Sequence, residues 1–212
     1  MKRKITIILS FIMVFSMVIP YSYGLQNIQY INKTTNANSD SKNIGSVEIP
    51  YQEGWPQETP GKIDSDPVTA DLDDDGDMEI IIGSGIVEDS QFNMYVFHHD
   101  GTLMDGWPIQ INTDVYGSPA VGDIDNDGDL EIIIGDITTI YSWHHDGTSV
   151  DGWPKTVGNC KNSPTLYDLD DDNDLEIIIS CGEYIDSKTC AVVHIWHHDG
   201  SYVDGWPQII TE

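Results

Sequence analysis

One nine-residue pattern occurs three times in this chain. Asp71 opens DLDDDGDME, Asp123 opens DIDNDGDLE and Asp168 opens DLDDDNDLE, and each copy runs on into three isoleucines. Two further landmarks keep step with it. His-His-Asp-Gly begins at His98, His144 and His197, and Gly-Trp-Pro places Trp at 55, 107, 153 and 206, at spacings of 52, 46 and 53 residues. Among repeat architectures, a period of this length belongs to four-stranded propeller blades. The repeats hold no stretch of 3.6-residue apolar periodicity, and they carry β-branched triplets and Asp-Gly turns throughout, so the reading is all-β.

The second unit shows how four strands fit the period. Residues 118–122 form the first, 131–135 the second, 140–144 the third, and the stretch through Trp153 the fourth. A continuous Glu-Ile-Ile-Ile run suits a strand buried on both faces, as when blades stack. The Asp-Gly of each His-His-Asp-Gly supplies a tight turn between the third and fourth strands. Three complete blades of four antiparallel strands are expected, at about 65–111, 112–157 and 158–212, within a repeat region of 48–212. A surplus outer strand at about 48–60, around Trp55, precedes them. Closed propellers have about four to eight blades, so the chain reads as the front part of a larger propeller, with closure by oligomerisation as the alternative.

Upstream, MKRK followed by a run of about 15 apolar residues, then Pro20 and the small residues Ser22 and Gly24, reads as a signal peptide over 1–24. Residues 25–47, rich in Asn, Ser and Thr, read as a flexible polar linker. The mature protein is then secreted or held at the cell surface, with no membrane insertion after cleavage. Acidic residues number 36 against 9 basic ones, three of which precede the apolar run, so nucleic acid is a poor partner.

Of the 36 carboxylates, 17 fall inside the three nine-residue segments, and clustered carboxylates on alternate residues of a tight loop call for cations. Positions 1, 3 and 5 supply Asp71, Asp73 and Asp75 in the first loop, Asp123, Asp125 and Asp127 in the second, and Asp168, Asp170 and Asp172 in the third. Position 7 (Asp77, Asp129, Asp174) offers its backbone carbonyl, and position 9 brings Glu79, Glu131 and Glu176. Calcium fits such a set best, because it takes about six to eight oxygens in loose geometry, whereas magnesium keeps its waters. About three ions are expected. Position 6 is Gly76, Gly128 and Asn173, and Asn is the residue after Gly that best tolerates left-handed backbone. An EF-hand is excluded by spacing, since position 12 is Ile82, Ile134 or Ile179 where that motif needs a bidentate Glu.

The D-x-D-x-D-G-x-x-E loop followed by an apolar strand resembles the FG-GAP/VCBS repeats of integrin α-subunit-like β-propellers. The unit SPAVGDIDNDGDLEIIIGD with its later YSWHHDGTSVDGWP is similar to propeller arrays in secreted surface proteins. The resemblance covers about 160 residues, from Glu53 onward. It implies calcium in the loops and binding or adhesion rather than catalysis. Glu at position 9, where integrins usually carry Asp, and Asn173 are departures from the family pattern.

The paired histidines suit a structural task, such as packing an imidazole near the following Trp, because neighbours on a strand point to opposite faces. The Trp residues suit inter-blade core. Spacings locate the variable surface. From Glu at position 9 to the first His of His-His-Asp-Gly the distance is 19, 13 and 21 residues, while the other intervals are nearly constant. The variation falls in the hairpin between the second and third strands, at the end of the blade away from the carboxylate loops. Asp89, Gln91, Phe92, Glu183, Tyr184 and Asp186 are therefore the candidate ligand contacts. Cys181 and Cys190 flank the third of these hairpins and form the candidate disulfide if the register opposes them, leaving Cys160 free or paired elsewhere. The favoured function is a calcium-stabilised module binding an extracellular glycan or protein, with self-association through open blade faces. The alternative is the propeller part of a polysaccharide lyase or hydrolase.

Overall fold

The computed structural model describes residues 5–6, 52–86, 91–185 and 187–210. The expected signal peptide, apart from Ile5–Thr6, and the linker lie outside them. Two short strands, β1 (Ile5–Thr6) and β2 (Glu58–Thr59), pair with each other. Three four-stranded antiparallel sheets follow. The first runs β3 (Val68–Ala70), β4 (Glu79–Ile86), β5 (Gln91–Phe97), β6 (Ile109–Ile111). The second runs β7 (Ala120–Gly122), β8 (Glu131–Gly135), β9 (Thr139–His144), β10 (Lys155–Thr156). The third runs β11 (Thr165–Tyr167), β12 (Glu176–Ile185), β13 (Lys188–Trp196), β14 (Gln208–Ile210). Each is a simple meander, as expected of propeller blades, and among the described residues the three do not close into a ring.

The isoleucine triplets explain why the sheets stack. Successive side chains of a strand point to opposite faces. In β8, Ile132 and Ile134 pack with Ile81, Met94 and Val96 of the first sheet, while Ile133 packs with Ile177 and Ile179 of the third. All three β8 isoleucines are fully buried. Burying one such side chain is worth about 1.5–3 kcal/mol, so the triplet serves two interfaces at once. On the first sheet, Ile80, Ile82, Tyr95 and Phe97 face the other way and are covered by Trp55 and Ile63.

The connection from one sheet to the next is also repeated. Lys62 bridges Gly85, Val115 bridges Asp136, and Asn159 bridges Gly182, so each incoming segment crosses the end of the second strand of the sheet it enters. The segment around Glu58–Thr59 thus stands to the first sheet as β6 stands to the second and β10 to the third. Of the surplus outer strand expected at about 48–60, the described residues contain β2 alone, which pairs with β1 and joins none of the three sheets.

Two expectations are corrected. The fourth strand of the second unit starts at Lys155, beyond Trp153, because Gly152 turns the chain with φ of 86° and Pro154 has no N–H to donate to a ladder. The disulfide joins Cys160 to Cys181, with Cα atoms 4.4 Å apart, and Cys190 is a free thiol. In the β12–β13 ladder Cys181 faces Val192 and Cys190 faces Glu183, so the expected pair sits on a diagonal. Diagonal neighbours are about 7–8 Å apart, too far for a disulfide. The Asn159–Gly182 bridge instead sets Cys160 beside Cys181. Peptide mapping under non-reducing conditions is expected to link Cys160 to Cys181, with one titratable thiol per denatured chain; a Cys181–Cys190 peptide would contradict this register.

Candidate functional site

The carboxylate loops join the first and second strands of each sheet. In the first, Asp71 accepts hydrogen bonds from the backbone N–H groups of Asp75 and Gly76 at 3.1 Å each, and Asp75 accepts from Asp77 N–H at 2.8 Å. The second repeats this with Asp123 accepting from Asp127 and Gly128, and Asp127 from Asp129. The third differs at one bond, Asp168 accepting from position 4 (Asp171) in place of position 5, and from Asn173, while Asp172 accepts from Asp174. Gly76, Gly128 and Asn173 have φ of 91°, 103° and 77°, so Asn173 takes the left-handed conformation that position 6 demands. Position 4 is left-handed as well, in Asp74, Asn126 and Asp171. That requirement was readable in the Asp/Asn restriction at position 4.

These bonds bend each loop so that positions 1, 3 and 5 converge. One oxygen from each of Asp71, Asp73 and Asp75 lies within 4.8 Å of the others, as for Asp123, Asp125 and Asp127, and for Asp168, Asp170 and Asp172. A carboxylate has about four lone-pair directions, so holding the loop leaves others for a cation. In the second loop Asp125 Oδ1 is buried with no hydrogen-bond partner. Asp170 is held above the usual carboxylate range by desolvation and by the charges of Asp172 and Glu176. A hard, oxygen-seeking cation would satisfy all of these groups.

Position 9 lies behind the loop. Glu79, Glu131 and Glu176 are fully buried. One oxygen of each accepts the N–H of position 2, from Leu72 at 2.8 Å, Ile124 at 3.0 Å and Leu169 at 2.7 Å. The other faces Nδ1 of the first histidine of His-His-Asp-Gly: His98 at 3.3 Å, His144 at 3.1 Å and His197 at 3.2 Å. Burial pushes the Glu79 and Glu131 carboxyls up, and these bonds oppose it. Asp73, Glu79 and His98 also converge within 4.8 Å, as do Asp170, Glu176 and His197. The second histidine reaches position 7 in two units, His99 Nδ1 lying 3.5 Å from Asp77 and His198 Nδ1 3.0 Å from Asp174. In these two units the paired histidines thus diverge to different carboxylates.

The same turn receives the Trp of the preceding unit, not the following one. Trp55 Nε1 donates to the His99 carbonyl at 2.7 Å, Trp107 to His145 at 3.0 Å and Trp153 to His198 at 2.7 Å. Their rings meet Phe97, Trp143 and Trp196 edge-on. Gly54, Gly106 and Gly152, each at positive φ, press so closely on the carbonyls of Asp100, Asp146 and Asp199 that a Cβ would collide. Inter-blade packing of Trp was legible from its repetition, but its direction was not.

At the opposite end of the sheets, Asp89 and Asp186 lie outside the described residues. Gln91 is exposed at the start of β5, and Tyr184 is 76% exposed. Phe92 is not a ligand contact: it is 8% exposed and belongs to the core between the first two sheets, because alternation along β5 turns it inward. Glu183 lies 2.9 Å from Nε2 of the buried His194, whose Nδ1 is 3.0 Å from the Tyr202 hydroxyl. His194 stacks on Trp196 as Tyr141 stacks on Trp143, and burial lowers its pKa.

Fold and loops together define an all-β protein of stacked four-stranded repeats, each carrying a convergent carboxylate loop. Residues 71–134, from the first loop through the triplet of the second unit, match the FG-GAP-like repeat family. No curated protein matches the chain. Among solved structures, the V. cholerae biofilm matrix protein Bap1 is 19% identical, with 67% of this chain and 28% of that one covered and a TM-score of 0.32. BBS1N in complex with ARL6DN is 11% identical, with 68% and 44% covered and a TM-score of 0.38. The chain thus spans under half the length of either.

Proposed function

We propose that this chain is an exported, calcium-stabilised repeat module that binds a glycan or protein outside the cell. The observation that carries the reading is the threefold convergence of oxygen-only carboxylate clusters, with a buried, unpartnered Asp125 oxygen in one of them. The FG-GAP-like repeat supports it through what that family's resemblance implies. The positively charged leader with its apolar run supports export. In this reading one end of the sheets holds the ions, and the hairpins at the other end, with Gln91, Glu183 and Tyr184, meet the ligand.

A second reading, part of a polysaccharide-degrading enzyme, is favoured by one feature. Glu183, His194 and Tyr202 form a cluster with no counterpart in the other units, where Tyr95 and Tyr141 replace the histidine and Leu103 and Ser149 the tyrosine. The two readings part in one experiment. The chain is titrated calorimetrically with calcium and then, immobilised, offered a panel of glycans with and without chelator. About three ions per chain, one fewer in Asp125→Asn, and calcium-dependent capture weakened by Tyr184→Ala are expected. No calcium uptake would sink the module reading, and glycan cleavage lost in His194→Tyr would favour the enzyme.

A further inference from the structure

The His-His-Asp-Gly turn is where two otherwise separate features meet. On one side its imidazoles face the carboxylate loop of their own sheet. In the third unit His197 faces buried Glu176 at 3.2 Å and His198 lies 3.0 Å from Asp174. On the other side its backbone carries the joint to the preceding sheet, since the His198 carbonyl accepts the Trp153 indole N–H at 2.7 Å. Gly152 rests against the carbonyl of Asp199 in that same turn. The first unit has the same arrangement with Trp55, His98, His99, Glu79 and Asp77.

From this we infer that the turn couples the metal loops to sheet stacking, so that an ion in one loop tightens the Trp joint with the preceding sheet, and the joint tightens the ion. The inference rests on the calcium reading above. The first histidine is a positioning residue: it orients the position-9 carboxylate without itself needing to touch the ion. The second lies beside the position-7 carboxylate in the first and third units. A turn pinned by Trp153 and Gly152 presents both imidazoles in one orientation, and the loop carboxylates are then arranged before the ion arrives. Because such coupling is reciprocal, an ion that fixes Glu176 and Asp174 fixes the turn and its carbonyl for the indole. Calcium then sets the stiffness between sheets as well as within each loop.

The test follows backbone amide signals of Gly76, Gly128 and Asn173 in the full chain during a calcium titration, in the wild type, in Trp153→Phe and in Trp206→Phe. Phe keeps an aromatic ring at the joint and removes the indole donor. The expected result is a calcium affinity about 5-fold weaker at Asn173 in Trp153→Phe, with Gly76 unchanged, as befits loss of one hydrogen bond that is linked to the site. Trp206→Phe, whose indole has no following turn among the described residues, leaves all three unchanged. In the wild type, calcium is expected to slow solvent exchange of the Trp153 indole N–H, a readout that holds even if the variant fails to fold. Wild-type affinity at Asn173 in Trp153→Phe, or indole exchange indifferent to calcium while the loops bind it, would overturn the coupling and leave the calcium reading standing. No response at any of the three amides would remove both.

Discussion

Adding excess chelator to the chain in millimolar calcium is expected to lower its melting midpoint by about 15 to 30 °C. Three independent loops, each held at about 100 times its dissociation constant, contribute roughly 8 kcal/mol together. For a chain of this size each kcal/mol moves the midpoint by about 2–4 °C. The physical cause is visible in every loop. Three carboxylates converge within 4.8 Å, and a fourth is buried behind them, so without a cation the folded state carries close like charges that the unfolded chain can separate. Differential scanning calorimetry measures the shift. A cooperative melt that ignores both calcium and chelator would remove the metal assignment.

The second large effect has nothing to do with metal. Asp136 is fully buried at the end of β8 and its two oxygens organise the short turn into β9 and the segment arriving from the first sheet. It accepts backbone N–H groups from Asn112 at 3.2 Å, Thr113 at 3.1 Å, Thr138 at 2.7 Å and Thr139 at 2.8 Å, and the Tyr141 hydroxyl at 3.0 Å. Burial and this neighbouring carboxylate push the Tyr141 phenol up to about 12. Asp136→Ala leaves most of these donors without an acceptor, the Asn112 N–H keeping the Tyr141 hydroxyl at 3.2 Å, and an unsatisfied buried donor costs about 1–3 kcal/mol. Since water reaches some of them, a net loss of about 3–5 kcal/mol is expected. Urea denaturation checks it, and the loss should be equal in calcium and in chelator. A cost under about 1 kcal/mol would show that the turn is held by other contacts.

Asp136 also illustrates which parts of the molecule the sequence could disclose. The loops, the triplets and the His-His-Asp-Gly turns recur, and what recurs at constant spacing can be aligned against itself, so four strands per unit and the converging Asp residues were legible. Asp136 occurs once, in a hairpin recognised only as short, and its partners Asn112 and Thr113 come from the preceding unit. The disulfide was misread for a related reason: Cys181 and Cys190 are close in sequence, but ladder register decides which residues face each other, and a bridge from Asn159 settles it. Phe92 turns inward because β5 begins at Gln91, a boundary that the spacing between landmarks does not reveal. The Trp joint was half legible. Repetition marked it as structural, while only the fold reveals that each Trp rests on the turn of the unit after its own.

That offset has a consequence for the molecule as a whole. The β-meander and the Trp joint divide the chain at different places: a cut ahead of residue 112 or 158 keeps each sheet intact but tears Trp107 or Trp153 from its carbonyl, and a cut ahead of Gly106 or Gly152 keeps the joint but strips a sheet of its last strand. Neither kind of cut yields a self-contained piece. The three units are therefore interlocked like links rather than strung as separable beads.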